Sequence, residues 1–357
     1  MTQLRLTVVY PPTLDWGWMT QRPQQISLRL ARRGIGVVYC NLTQRPGRPL
    51  EPISPNLWIC HDFEALKRQP VPGAVVWASW GRHWPLFGRW NALLNVFDNL
   101  DDFESWERDD REAAARADLV LATSRLLFQR WAARRPHVYL VPNGCDFEHF
   151  HRAAVSPPLP EPPDLAGIPR PRVLYMGALA PWLDAAAIEA LVATYPGTAF
   201  VFIGASMGYE PPRRSNVHVL GLKPYEALPS YLAHCDAGLI PFRPERVTKA
   251  ANPVKLYEYL AAGLPVLASR LPELEPYAGV VHLAGQPPEW AALLPAALAD
   301  TSAARREQRA AVARANTWDD RVDQIVSLLH KAIAVKQARE SASAVLRVRP
   351  QPYVKRM

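Results

Sequence analysis

The hydrophobic positions of this chain fall into short apolar runs, separated by stretches in which apolar residues recur every three or four positions. Short runs rich in β-branched residues predict buried strands, and the longer period predicts amphipathic helices. Their alternation predicts an α/β fold with parallel sheets covered by helices. The pattern runs through two cycles, with predicted strands at 4–10, 35–41, 56–60, 74–79, 95–98, 117–124 and 137–141, and then at 172–176, 198–204, 216–220, 235–242, 266–268 and 280–284.

A proline-rich stretch, SPPLPEPPDLAGIPRP, separates the two cycles. Its proline density favours an extended, polyproline-like backbone, and it shows no periodic apolar face. The sequence therefore predicts a first domain at 1–155, a semi-rigid linker at 156–171 and a second domain at 172–317. A closing amphipathic helix is predicted at 318–335, followed by a basic, disordered tail at 336–357.

One predicted helix carries the most specific chemistry. Asn252 is a good N-cap residue, Pro253 suits the first helical position, and Gly263 suits the left-handed position after the last turn. Lys255 and Glu258 lie three positions apart, on one side of the helix and near its N-terminus, where free N–H groups attract anions. A phosphate there would meet Lys255, and Glu258 would accept hydrogen bonds from a ribose diol. An ordinary capped helix with a surface Lys–Glu pair is the alternative.

Composition narrows the function classes. A length of 357 residues suits two domains, and a formal charge of +8 favours anionic partners. Four scattered cysteines indicate neither a zinc site nor a disulfide framework, which favours a reduced cytoplasm. No G-x-G-x-x-G follows the first predicted strand, which argues against a dinucleotide oxidoreductase. No nucleic-acid-binding signature and no apolar stretch long enough to span a bilayer is present.

Three loops of the first cycle follow the ends of predicted strands, where parallel sheets place their ligands. Gly17 and Trp18 follow the first strand, and Arg82 and His83 follow the strand at 74–79. Asp98 ends a buried strand, which makes it the best acidic candidate of its neighbourhood. A lone histidine is more often structural than catalytic, and the acidic residues after Asp98 are equally suited to capping the next helix.

Three segments resemble a known family. NPVKLYEYLAAG at 252–263, PNGCD at 142–146 and RPQQ at 22–25 are similar to segments of GT-B glycosyltransferases, in the branch of teichuronic acid and exopolysaccharide enzymes. The resemblance implies two Rossmann-like, doubly wound domains facing a cleft, with a C-terminal helix that crosses back to the first domain. It also implies transfer of a hexosyl group from a nucleotide-sugar donor, with retention and without a metal ion or other cofactor.

The resemblance also implies roles for single residues. Glu258 would bind the ribose, and the diphosphate would lie against the helix N-terminus (Asn252, Pro253 and Val254), Lys255 and Gly177. The arginine and lysine that relatives carry near the Gly177 turn are absent, so Arg243 and Lys249 are expected to add charge. The acidic residue that relatives carry eight positions before Glu258 is Ala250 here. In the first domain, Asp98 and His83 are the catalytic candidates, and Gly17, Trp18 and Arg82 are placed on the acceptor side.

The expected partners are a nucleotide sugar and a saccharide or polyprenyl-linked acceptor in cell-surface polysaccharide synthesis, with no nucleic acid. The expected location is the cytoplasm, with peripheral attraction to the anionic inner face of the membrane as a secondary expectation. Two other functions stay open. One is a catalytically inactive relative that acts as a binding or scaffold module, motivated by Ala250 and the missing arginine. The other is a sugar-nucleotide epimerase of similar two-domain shape.

Overall fold

A computed structural model describes residues 6–155 and 159–347 of the chain, with side chains through residue 341. The first sheet has eight strands in the order β3-β4-β2-β1-β5-β6-β7-β8, parallel except for the antiparallel pair β3–β4. Its strands are β1 (Thr7–Tyr10), β2 (Gly36–Cys40), β3 (Glu51–Ser54), β4 (Leu57–Cys60), β5 (Ala74–Ala78), β6 (Leu94–Asn99), β7 (Leu119–Ala122) and β8 (Val138–Leu140).

The second sheet has six parallel strands in the order β11-β10-β9-β12-β13-β14. They are β9 (Arg172–Met176), β10 (Ala199–Ile203), β11 (Val217–Gly221), β12 (Ala237–Ile240), β13 (Val266–Ser269) and β14 (His282–Ala284). In both sheets the central strands are buried on both faces, as parallel strands between helical layers must be.

Helices cover both sheets. They are α1 (Arg22–Arg32), α2 (Phe63–Leu66), α3 (Glu107–Arg116), α4 (Arg125–Ala132), α5 (Phe147–His151), α6 (Ala185–Thr194), α7 (Leu228–Ala233), α8 (Arg246–Lys249), α9 (Val254–Ala261), α10 (Pro287–Ala299), α11 (Ala303–Arg314) and α12 (Trp318–Arg347). No helix among the described residues is long and apolar enough to cross a membrane.

Helix α12 crosses from the second sheet back to the first. Its apolar face, with Val322, Ile325 and Leu329 fully buried, belongs to the hydrophobic core of the first domain. Arg29 of α1 and Arg33, the residue after α1, pair with Asp319 at the start of α12. The two doubly wound sheets and the returning helix confirm the predicted architecture.

Two segments differ from the sequence-based expectation. Helix α12 continues to Arg347, so the predicted disordered tail is wrong for 336–347, while 348–357 lie outside the described residues. Residues 159–171 form turns rather than an extended linker, and Leu165 and Ile168 are buried in the core of the second domain. The antiparallel edge strand β3 was not predicted.

Candidate functional site

Helix α9 begins at Val254, at the edge of the second sheet where the strands end. Pro253 occupies the N-cap position in extended conformation, and no described side chain caps this end. The prediction that Asn252 caps the helix is therefore wrong. The Asn252 amide instead donates to the Tyr257 hydroxyl (3.1 Å) and to the Glu273 carboxylate (3.3 Å).

Lys255 and Glu258 project from one side of α9, as their spacing predicts. The Lys255 ammonium lies over two aromatic rings, 4.8 Å from the centroid of Phe242 and 5.4 Å from that of Tyr175. Glu258 is 8% exposed. Within the described residues, neither side chain forms an ion pair or a hydrogen bond with another side chain. Two charged groups are thus held in a largely buried place without a partner that would satisfy them.

Burial shifts the pKa of both groups. It lowers the pKa of Lys255 to about 8, against the opposing effect of Glu258. It raises the pKa of Glu258 to about 7, against the opposing effect of Lys255. Because burial disfavours a charged form unless something compensates it, such pairs mark places where a ligand completes the charge balance.

Glycine turns bring the backbone close to Lys255. Gly177 and Gly204 follow β9 and β10 with φ of +148° and +151°, a conformation that favours glycine. A Cβ on Gly177 would lie 3.0 Å from the Lys255 ammonium, and a Cβ on Gly204 would lie 1.8 Å from the Gly177 carbonyl oxygen. The structure therefore brings Gly177 and Lys255 together at the sheet edge, as predicted, and leaves room there only for backbone.

Tyr225 is a neighbour of Glu258 that sequence reasoning did not find. It follows β11, its ring stacks on His149 at 4.5 Å, and the charge of Glu258 contributes to raising its pKa. Its hydroxyl accepts a hydrogen bond from Gln25 of the first domain (2.9 Å). Its position directly after a strand end was the available sequence signal.

The two domains meet along a seam beside this site. Ala250 is 1% exposed and packs with Ala122 and Leu127 of the first domain. Asn143 donates to Asn252 twice, from its backbone N–H to the side-chain oxygen (3.0 Å) and from its amide to the backbone carbonyl (2.6 Å). Position 250, where the family resemblance implies an acid, is therefore enclosed by apolar side chains.

One family model matches part of the chain. Residues 170–300 match the model described as glycosyl transferases group 1. The matched segment contains Gly177, Gly204, Lys255 and Glu258.

One curated protein is similar to part of the chain. A Bacillus subtilis (strain 168) protein named as a teichuronic acid biosynthesis glycosyltransferase, TuaH, is 29% identical over 167 residues. The alignment covers 44% of this chain and only 41% of that relative.

Two solved structures have the same fold at low sequence identity. Sucrose-phosphate synthase from Thermosynechococcus elongatus is 19% identical, with a TM-score of 0.68 over 93% of this chain and 100% of that chain. An α,α-trehalose-phosphate synthase (UDP-forming) from Burkholderia vietnamiensis is 13% identical, with a TM-score of 0.69 over 93% of this chain and 98% of that chain. The fold is GT-B, as predicted.

The other donor-side candidates lie on the segment after β12. Arg243 is exposed, and its guanidinium is already paired with the neighbouring carboxylate of Glu245 at 2.7 Å. Lys249 is exposed at the end of α8. Neither side chain has the enclosed position of Lys255, and their predicted contact with the donor stays a prediction.

Asp98 is buried inside the first domain. Both of its oxygens accept from Arg22, at 2.8 and 2.9 Å, and one also accepts from the Trp77 indole. Arg22 in turn donates to the carbonyl of Val141 (3.0 Å) and to the side chain of Asn143 (3.3 Å). Asp98 therefore fixes the turn that contacts Asn252, and its geometry favours a positioning role over the predicted catalytic one.

His83 lies in a short helix, Gly81–Leu86, after β5. Its ring stacks on Trp80, and burial, with a contribution from Arg82, lowers its pKa to about 4. The imidazole is neutral at pH 7, and its Nδ1 has no hydrogen-bond partner among the described residues. It can accept a proton or a hydrogen bond there, and its catalytic role stays a prediction.

Aromatic side chains connect this region to the second domain. Trp80 contacts Trp106, Trp106 contacts Phe103, and the Phe103 ring centroid lies 6.5 Å from that of Trp182, in the turn after Gly177. The Arg82 guanidinium covers the Trp80 ring at 4.3 Å. Gly17 adopts a left-handed turn, and Trp18 is 40% exposed. Their acceptor-side roles also stay predictions.

Asp101 is one of the acidic residues after Asp98 that are suited to capping the next helix. The 3-10 helix that follows, Glu104–Trp106, has no side-chain cap. Burial raises the pKa of Asp101 to about 6, so its carboxyl group titrates near neutrality at the end of β6. No group of three His, Cys, Asp or Glu side chains that could hold a metal ion occurs within 6–155 and 159–347, and metal independence stays a prediction.

Proposed function

We propose that the protein is a glycosyltransferase that moves a hexosyl group from a nucleotide-sugar donor to an acceptor hydroxyl. One observation carries the proposal: Lys255 and Glu258 are held, enclosed and without partners, beside two glycine turns on a group 1 domain. These are the groups that a nucleoside diphosphate needs, a cation with backbone N–H donors for phosphate and a carboxylate for ribose hydroxyls.

The proposed mechanism is electrostatic. Breaking the glycosidic bond leaves negative charge on the departing diphosphate, and groups fixed in advance around that charge lower the barrier. Lys255 and the N-terminus of α9 would supply that stabilisation in place of a metal ion, with retention of configuration. Contacts between the domains would exclude water from the donor.

The acceptor is proposed to be a saccharide or a polyprenyl-linked saccharide in cell-surface polysaccharide synthesis, since the aligned relative is named for teichuronic acid biosynthesis. The reaction would take place in the cytoplasm, with the protein free or peripherally bound to the membrane. UDP-sugars are the first donors to test, because one protein of the same fold is named as UDP-forming.

The decisive measurement is donor binding by calorimetry across UDP-, GDP- and dTDP-sugars, followed by donor turnover. Glu258→Gln and Lys255→Ala should each weaken binding at least ~10-fold, since each removes a charged hydrogen-bonding partner. Glu210→Gln, at an exposed carboxylate, is the matched control. Wild-type affinity in both site variants would overturn the proposal.

The same samples separate the two alternatives. Tight donor binding without hydrolysis or transfer, for every acceptor tried, would favour the scaffold function. Ala250, in place of the expected acid, and the missing arginine are the reasons for that alternative. Conversion of the donor sugar to its epimer without acceptor would favour the epimerase.

A further inference from the structure

A cavity lined by arginines lies on the seam between the two domains. It has a volume of about 620 Å³ and is lined by Arg111, Arg130, Arg134, Arg246, Glu107 and Trp131, with Ala133. Arg246 comes from α8 of the second domain, and the others come from α3, from α4 and from the two residues that follow α4 in the first domain. We refer to it as the arginine cavity. Its volume falls within the ~300–1,000 Å³ typical of small-molecule sites, but its lining is cationic rather than apolar.

Acidic residues balance only part of this charge. Asp102 accepts from Arg130 (2.6 Å) and from Arg246 (2.9 Å), and Glu107 pairs with Arg246 (2.9 Å) and with Arg111. Burial would raise the pKa of Asp102, but the hydrogen bonds from the two arginines outweigh it and the pKa is lowered. Four guanidinium groups thus share two carboxylates, which leaves an excess of two positive charges.

Arg134 has no carboxylate partner among the described residues and Arg111 has one, so both keep N–H groups that can meet a ligand. Arg134 donates to the backbone carbonyl of Arg130 (3.0 Å) and pairs with no carboxylate among the described residues. Arg111 is 65% exposed, and its only described ion pair is the surface pair with Glu107. The guanidinium group of an arginine can donate two parallel hydrogen bonds to the oxygens of one phosphate. Arg130 and Arg246 already donate to Asp102 and are held in place by it.

The cavity adjoins the donor site along the chain. Phe242, whose ring lies under the Lys255 ammonium, is four residues from Arg246. Four residues of extended chain span at most ~14 Å, which bounds the backbone distance between Phe242 and Arg246. A ligand in the arginine cavity therefore lies within the length of a few sugar residues of the donor.

We propose that the arginine cavity binds a phosphate- or pyrophosphate-bearing group. If the protein transfers a sugar as proposed above, that group belongs to the acceptor, so the acceptor is a phosphorylated or pyrophosphate-linked saccharide. The anion binding itself does not depend on transfer. A free phosphorylated sugar and a lipid-linked one share this chemistry.

The test is calorimetric titration with inorganic pyrophosphate at low ionic strength. Lys255→Ala serves as the background, so that the donor site does not contribute. Adding Arg111→Ala and Arg134→Ala should weaken pyrophosphate binding at least ~10-fold, since two charge-assisted contacts are lost. Arg108→Ala, an exposed arginine of α3 outside the cavity, removes charge from the same helix and should change the affinity by less than about 2-fold.

The outcomes separate this proposal from the proposed function. Pyrophosphate binding that is lost in Lys255→Ala alone, or that falls equally with Arg108→Ala, overturns the arginine cavity and leaves the donor site standing. Nucleotide-sugar binding should persist in Arg111→Ala/Arg134→Ala. Absence of nucleotide-sugar binding in every protein tested, the wild type included, would count against the proposed function instead. The variant Arg111→Lys/Arg134→Lys should restore part of the pyrophosphate affinity, since charge returns without the fork.

Vesicle flotation distinguishes the sources of the phosphate group. Vesicles containing phosphatidylglycerol that bind the wild type but not Arg111→Ala/Arg134→Ala would assign the cavity to a membrane headgroup. Absence of flotation together with pyrophosphate binding would assign it to a soluble phosphorylated group. Phosphatidylcholine vesicles are the control for nonspecific adsorption.

Discussion

Glu258 is a carboxylate that the fold buries without a partner. Because its pKa in the folded protein is about 7, against 4.5 for an ordinary glutamate, the folded state binds a proton more tightly than the unfolded state. Stability contributed by this group is present below pH 4.5 and is lost as pH rises towards 7. Keeping Glu258 ionised above neutral pH therefore costs folding free energy, about 3 kcal/mol at full effect.

Glu258→Gln is expected to stabilise the protein at pH 7.5 by about 1–3 kcal/mol and to leave its stability at pH 5 nearly unchanged, because glutamine removes the buried charge. Urea unfolding at both pH values measures the difference. Glu210→Gln should show no such pH-dependent gain. A loss of stability at pH 7.5 would mean that the native fold satisfies this carboxylate, and would remove the reason to assign it to a ligand.

Lys255, Glu258 and Gly177 could be predicted because their positions depend on local geometry. Helix periodicity puts the two charges on one side, and a strand–glycine–turn pattern marks the sheet edge. Asn252 could not be predicted in the same way, because Glu273 and Asn143, both distant in sequence, draw its side chain away from the cap. The burial of Ala250 against the first domain likewise depends on the arrangement of the domains.

At the scale of elements, the turns after β9 and β10 interlock. Gly177 donates to the Ile203 carbonyl (2.8 Å), and Gly204 packs against the Gly177 carbonyl with no room for a side chain. Gly204 in turn donates to the Gly221 carbonyl (3.0 Å), so the two turns fix the position of the backbone beside Lys255.

Gly204→Ala is expected to destabilise the protein by more than about 2 kcal/mol, because its Cβ would overlap the Gly177 carbonyl and its φ is unfavourable for alanine. Donor binding should weaken with it. Gly197→Ala, in a turn of the same domain with open space around it, is the matched control in urea unfolding. Equal stability of the two variants would show that the interlocking of the turns contributes little.

Most strands could be predicted, since buried β-branched runs leave few alternatives. The two element-level errors have physical causes. Residues 336–347 lack a strong apolar period but are rich in good helix formers, which is enough to extend an existing helix. In the proline-rich stretch, Leu165 and Ile168 form no periodic apolar face, yet both reach the second core.

At the scale of the whole molecule, the seam combines apolar, amide and ion-pair contacts between the domains. Asp102 joins Arg130 of the first domain to Arg246 of the second, and Glu273 accepts from the backbone of Arg125 (2.8 Å). The contacts of Asp102 with Arg246 and of Glu273 with Arg125 each join groups from different domains, so the seam can open only by breaking them together.

Ala250→Glu, which introduces the acid that the family resemblance implies, is expected to open this seam rather than to improve activity. A carboxylate placed against Ala122 and Leu127 would cost at least about 2 kcal/mol, and separating the domains relieves that cost. Small-angle scattering should show a larger radius of gyration, while Ala251→Glu, at a half-buried neighbour, should not. An unchanged radius with increased turnover would mean that position 250 faces the donor.

The return of helix α12 means that the polypeptide passes between the two sheets twice, once on leaving the first and once on coming back. Two connections between the same two domains permit rotation of one domain relative to the other about one axis and restrict rotation about the others. A protease that cuts the connection leaving the first domain would therefore leave the two domains joined through helix α12. The cut protein should elute at its original apparent mass in size-exclusion chromatography under native conditions.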